Sequence, residues 1–112
     1  MSEKKYYDPK DLKNFPKIVE FQKEYGEKFF DWYTTVFEDG ALSKREKALI
    51  ALAVAHSEYC PYCIEAYSEE CLKLGADEEQ MMEAVHVAAA IKSGASLVHS
   101  TQMMNHVKKL SM

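Results

Sequence analysis

From Lys17 the apolar residues recur at helical steps. Ile18, Phe21, Tyr25, Phe29, Trp32 and Val36 fall three or four apart, one continuous stripe on a helix of 3.6 residues per turn. Phe30, Tyr33 and Phe37 widen the stripe, and Asp39-Gly40 ends the element. Upstream, the polar, tyrosine-bearing stretch from Lys4 to Lys13 contains Asp8-Pro9, which is placed to open a short helix. Asn14-Phe15-Pro16 then breaks the chain, because proline disfavours a helical residue before it.

Ser43-Lys44-Arg45-Glu46 has the form of a capping box, with Ser43 as N-cap and Glu46 reaching back. The helix it opens runs through Ala48-Leu-Ile-Ala-Leu-Ala-Val-Ala55 and is apolar on every face. A helix without a polar side has to be buried all round. One small domain arranges that poorly, so a subunit interface, and hence a homo-oligomer, is expected. A further helix is predicted from Cys60 to Leu74, closed by Gly75 at the C′ position. Asp77-Glu78-Glu79-Gln80 opens the next, with Asp77 capping and the acidic residues favourably set against the helix dipole. It passes Met81-Met82 and Val85 to Ile91, and Ala88-Ala89-Ala90 would let another backbone come close. Ser93-Gly94 is expected to kink or break it before Leu97 to Lys109. No stretch alternates as a strand does. The expectation is an all-α fold of five or six helices with short connections.

Length and composition narrow this picture. The 112 residues make one domain, 1–112, expected to bury roughly 65% of the unfolded surface. Ten of the thirteen aromatic residues precede residue 40, so the aromatic helix supplies most of the bulky packing surface. Charged residues are 29% and hydrophobic ones 47%, the balance of a globular protein. A net charge of -4, with no basic run longer than Lys44-Arg45, leaves no footprint for nucleic acid or an anionic membrane. The longest apolar run, Ala48 to Ala55, falls far short of the roughly 18 to 20 residues of a membrane span. An odd count of 3 cysteines, and no apolar segment behind Met1-Ser2-Glu3-Lys4-Lys5, argue for a reducing, cytoplasmic setting.

Candidate chemistry centres on Cys60-Pro61-Tyr62-Cys63. Two cysteines three apart at the first turn of a helix can pair with each other, and the helix N-terminus lowers thiol pKa. Pro61 suits the first helical position, where no N–H is needed. A redox dithiol is the leading reading; half of a zinc site and two buried structural thiols are the alternatives. Zinc would need Cys71, His56 or His86 as further ligands, since no second Cys-x-x-Cys exists.

Around the dithiol, His56 lies one helical turn ahead of Cys60 and is a candidate to take a thiol proton, or simply a dipole partner at a helix end. His86, on an otherwise apolar helix, is expected to meet a polar partner such as Glu83 or to point into the dithiol pocket. Tyr67, one turn after Cys63, is a candidate hydrogen-bond donor to a thiolate. Glu58, Glu65, Tyr59 and Tyr62 crowd the same stretch. Cys71 is about 80° round the helix from Cys63 and reads as a small buried hydrophobe. His99 and His106 read as surface or interface residues, and the methionine pairs as core filling.

The run Ala-Leu-Ile-Ala-Leu-Ala-Val-Ala-His-Ser-Glu-Tyr-Cys-Pro-Tyr-Cys, followed by Glu-Ala-Val-His-Val-Ala-Ala-Ala-Ile, resembles the core of the alkylhydroperoxidase D / carboxymuconolactone decarboxylase family over Leu42 to Leu97, about half the chain. With the Tyr-Tyr-Asp-Pro start and the aromatic helix, the whole chain is similar to peroxidase-like members associated with arsenosugar biosynthesis. The resemblance implies an all-helical fold, trimers or higher multiples such as hexamers, and thiol-dependent reduction of hydroperoxides without a metal or other cofactor. It makes Cys63 the peroxidatic thiol and Cys60 the resolving one, with an external thiol or dithiol as reductant. Helix-dipole reasoning alone would favour Cys60 as the nucleophile; the family assignment is preferred because a local base can outweigh a dipole. The peroxidase pattern also carries a glutamate twelve residues before the first cysteine and a histidine four after the second. Ala48 and Tyr67 stand there instead. That departure supports an alternative, a non-enzymatic metalloid binder or redox sensor. Cys-Pro-Tyr-Cys also occurs in glutaredoxins, whose fold would require a strand entering the motif.

Overall fold

The computed structural model describes residues 8–111; the Tyr6-Tyr7 start lies outside them. Five α-helices and one 3-10 segment follow in order, and the described residues contain no strand. The glutaredoxin alternative therefore falls: the dithiol opens a helix in a helical hairpin.

Helix α1 (Lys10–Asn14) starts where Asp8 accepts a bond from the Lys10 N–H at 3.0 Å. The aromatic stripe is not one helix. It is split into a 3-10 segment, Phe15–Glu20, and α2, Lys23–Val36, with Gln22 in a non-helical conformation between them. Two local features cause the split. Pro16 lies in the first turn of the 3-10 segment. Gly26 then lets that segment fold back: a Cβ there would lie 2.6 Å from Val19 Cγ1 and 2.9 Å from the Val19 backbone. Phe15 is thereby set edge-on against Phe29 and Phe30, with ring centroids 6.1 and 5.0 Å away.

Helix α3 (Lys44–Ser57) is the hub, packing against both α4 (Pro61–Lys73) and α5 (Glu78–Ser111). Its capping box forms as predicted, with the Glu46 N–H donating to Ser43 Oγ at 3.1 Å and the Ser43 N–H to Glu46 at 2.8 Å. Those bonds hold the Glu46 carboxyl below its ordinary range. Ahead of it, Lys47 donates to the carbonyls of Val36 and Glu38 and so caps the end of α2. Helix α4 closes on Gly75 at φ 88°, where the Ala76 and Gly75 N–H groups reach back to the carbonyls of Cys71 and Leu72. Asp77 and Gln80 cap α5 reciprocally, at 2.8 and 3.0 Å.

The core is small. Ala48, Leu52, Cys71 and Ala76 are buried together, with Leu49, Tyr67, Leu74 and Met81 packed around them. Small residues on α3 let its neighbours approach closely, but its other face, with Ile50 and Val54, stays half exposed. The expected break at Ser93-Gly94 is absent, and α5 runs unbroken for 34 residues. A mid-helix glycine costs only about 1 kcal/mol, and nothing packs within 4 Å of Gly94 to exploit a bend. From Ile91 onward α5 is exposed throughout the described residues, apart from Ser100.

The radius of gyration is 19.3 Å, where a compact chain of this length would have about 13 Å. The accessible area of 9280 Å² is about 3,000 Å² more than a compact monomer of this mass exposes. The chain thus buries nearer half of its unfolded surface than the expected two thirds, because so much of α5 and α2 has no neighbour. No helix among the described residues is long and apolar enough to cross a membrane.

Candidate functional site

The dithiol is presented by the turn that joins α3 to α4. Helix α3 ends with the Tyr59 N–H on the His56 carbonyl at 3.2 Å and the Cys60 N–H on the Ala55 carbonyl at 3.0 Å. This is the pattern that normally places glycine in the left-handed conformation at C′. Tyr59 occupies that position, with φ 53°. Lys92 of α5 braces it, donating to the Ser57 carbonyl at 2.9 Å while its ammonium sits 4.2 Å from the Tyr59 ring centroid.

Cys60 is the N-cap of α4 and Pro61 its first residue. The sulfur atoms of Cys60 and Cys63 lie at disulfide distance, with Cα atoms 5.3 Å apart, and both residues are half-buried. The Cys63 N–H donates to Cys60 Sγ at 3.3 Å. It is therefore the Cys60 sulfur that takes the place of a capping oxygen, where the helix dipole and a free N–H favour negative charge. Tyr62 turns away and donates to Asp11 at 2.8 Å, which pushes its hydroxyl pKa up and ties α1 to the start of α4.

The other predicted site residues differ in partners and in burial. His56 Nδ1 donates to the Leu52 carbonyl at 2.8 Å. A carbonyl only accepts, so Nδ1 carries the hydrogen and Nε2 is left as an acceptor. His86 lies on the exposed side of α5, and Glu83 is likewise exposed. Glu58 caps the end of α3 in solvent. Glu65 is half-buried and its Oε2 is enclosed without a hydrogen-bond partner. Cys71 is wholly buried, and burial, then the charge of Glu70, pushes its thiol pKa up. It packs as a hydrophobe. No group of three or more His, Cys, Asp or Glu side chains among the described residues is disposed to hold a metal ion.

Sequence reasoning missed Tyr33. Its hydroxyl is hydrogen-bonded to that of Tyr67, and Phe37 stacks on the Tyr67 ring at 5.2 Å with an interplanar angle of 19°. These rings wall a cavity of about 480 Å³ whose lining includes Ala48, Glu70 and Leu74. Ala48, twelve residues before Cys60, and Tyr67, four after Cys63, thus share one cavity. The only signal in the sequence was that Tyr33 and Phe37 sit four apart beside the aromatic stripe.

Comparisons with known proteins agree with this architecture. The family model described as "Carboxymuconolactone decarboxylase family" matches residues 23–105. A relative from Paracoccus denitrificans, named "Uncharacterized protein 4 in cox locus", is 49% identical over 69 residues. That match spans 62% of this chain and 62% of the relative's length. A crystal structure from Methanobacterium thermoautotrophicum has a TM-score of 0.73 at 31% identity, covering 77% of this chain and 97% of the other. An apo carboxymuconolactone decarboxylase family protein from Legionella pneumophila has a TM-score of 0.60 at 30% identity, covering 93% and 94%. The match runs from the first residue of α2 deep into α5 and includes the dithiol turn. The chain belongs to the carboxymuconolactone decarboxylase family.

Proposed function

We propose that the protein is a thiol-dependent peroxidase that cycles Cys60 and Cys63 between dithiol and disulfide, as the peroxidase-like members it resembles do. The observation that carries this reading is the placement of Cys60 at the N-cap of α4, paired with Cys63 and bonded by its N–H. His56, with Nε2 free, takes the Cys63 thiol proton. The Cys63 thiolate attacks the terminal oxygen of a hydroperoxide; the S–O bond forms, the O–O bond breaks, and an alcohol leaves after protonation. The Cys60 thiol then attacks the Cys63 sulfenic acid, giving the disulfide and water. An external thiol or dithiol supplies the two electrons that restore the reduced form.

This assignment reconciles the dipole argument with the family one. A sulfur that holds negative charge easily is a good resolving thiolate and, in the return step, a good leaving group. Cys60 takes that part, and Cys63 meets the oxidant. His86, on the exposed side of α5, is a further candidate to exchange protons with solvent. The exposed faces of α3 and α5 suit a homo-oligomer, a trimer or hexamer.

The reading is tested by counting free thiols. Reduced protein exposed to excess hydroperoxide should lose the Cys60 and Cys63 thiols and keep that of buried Cys71. Cys63→Ser should stop turnover. A thiol count unchanged by peroxide ends the proposal.

A further inference from the structure

The geometry points to Tyr33 as a positioning residue for peroxide reduction, its hydroxyl holding that of Tyr67 as the proton donor to the departing oxygen. This inference rests on the thiol-peroxidase reading above and supplies what that reading lacks, a source for the proton the alcohol needs.

Two contacts fix Tyr67, one turn of α4 beyond the dithiol. It follows Cys63 by four residues, so the two side chains share a face of α4. Its ring is stacked on Phe37, and its hydroxyl is bonded to that of Tyr33. Tyr33 is held in turn by Phe37 and Phe29, with centroids 5.0 and 5.4 Å away. A phenol has one hydrogen and two acceptor lone pairs. In a bonded pair of phenols one hydrogen lies between them and the other is left to give. With Tyr33 donating to Tyr67, the free hydrogen is Tyr67's. Burial pushes the Tyr33 pKa up, so this hydroxyl keeps its proton.

The step balances. As the Cys63 thiolate forms its bond to the terminal oxygen, the electron pair of the O–O bond leaves on the other oxygen. That oxygen takes the Tyr67 proton and departs as the alcohol. The phenolate left on Tyr67 is stabilised by the Tyr33 hydrogen bond and regains a proton from water through the adjoining cavity. His56 has the opposite task, since its Nε2 accepts the thiol proton.

The test compares two oxidants whose leaving groups differ. Tert-butyl hydroperoxide releases a strongly basic alkoxide that needs a proton; peracetic acid releases acetate, which does not. In single-turnover oxidation, Tyr33→Phe should slow the first reaction about tenfold and the second by less than about twofold. Tyr67→Phe should show the same selectivity, and the double variant should be no slower than Tyr67→Phe alone. Equal slowing with both oxidants would mean a structural role, and no slowing with either would mean none; each overturns the inference. A wild-type protein whose thiols survive both oxidants instead overturns the peroxidase reading beneath it.

Discussion

At the scale of single residues, Tyr59 is the position where this sequence departs furthest from what its backbone prefers. A left-handed conformation costs an ordinary side chain about 1–2 kcal/mol, which is why glycine dominates the C′ position. Tyr59 holds φ 53° next to Cys60, and the exposed contact with Lys92 repays about 0.5–1 kcal/mol. Tyr59→Gly should therefore raise stability by about 0.5–1 kcal/mol, read as a higher denaturant midpoint of the oxidised protein. A lower midpoint would show that the Lys92 brace outweighs the strain. The dithiol itself was legible in the sequence, because its spacing and Pro61 are local facts. Tyr33 was not, because its partner Tyr67 is distant in sequence and no period announces which flank of an aromatic helix meets it.

At the scale of elements, what could be read from the sequence was what local chemistry dictates. The Ser43 and Asp77 caps and the Gly75 terminus stand where side-chain hydrogen bonds and a positive φ require them. The division of the aromatic stripe was hidden, since a stripe of period 3.6 continues across a break that folds back on itself. Gly26 makes that fold-back possible. A methyl group there would meet the Val19 backbone at 2.9 Å, a contact no rotamer relieves. Gly26→Ala should cost about 1–3 kcal/mol of stability despite alanine's better helix propensity. If thermal melts by circular dichroism show Gly26→Ala equal to or above wild type, the packing of the 3-10 segment on α2 is not needed for stability. The continuous α5 teaches the converse lesson. Ser93-Gly94 lowers helix propensity only modestly, and a helix bends only when tertiary contacts reward the bend.

At the scale of the whole molecule, the quantity to be explained is exposed apolar surface. Ile50 and Val54 on α3 are 50% and 51% exposed, and Ile91, Leu97 and Val98 continue the apolar surface along α5. The excess of about 3,000 Å² over a compact monomer exceeds the roughly 800 Å² that each partner buries in a standard interface. One such contact would leave most of it in water. A ring of three gives every protomer two interfaces, and stacking two rings gives each a third. The part of α5 that runs beyond its own core is the surface we expect a second copy to cover. Sedimentation of the full chain at micromolar concentration should give a mass of three or six protomers. Placing charges on the hub, with Ile50→Glu and Val54→Glu together, should shift it to smaller species with reduced helicity, because burying two unpaired carboxylates costs several kcal/mol. A wild-type chain that sediments as a fully helical monomer would refute the assembly, and would require α3 to keep its apolar face in water.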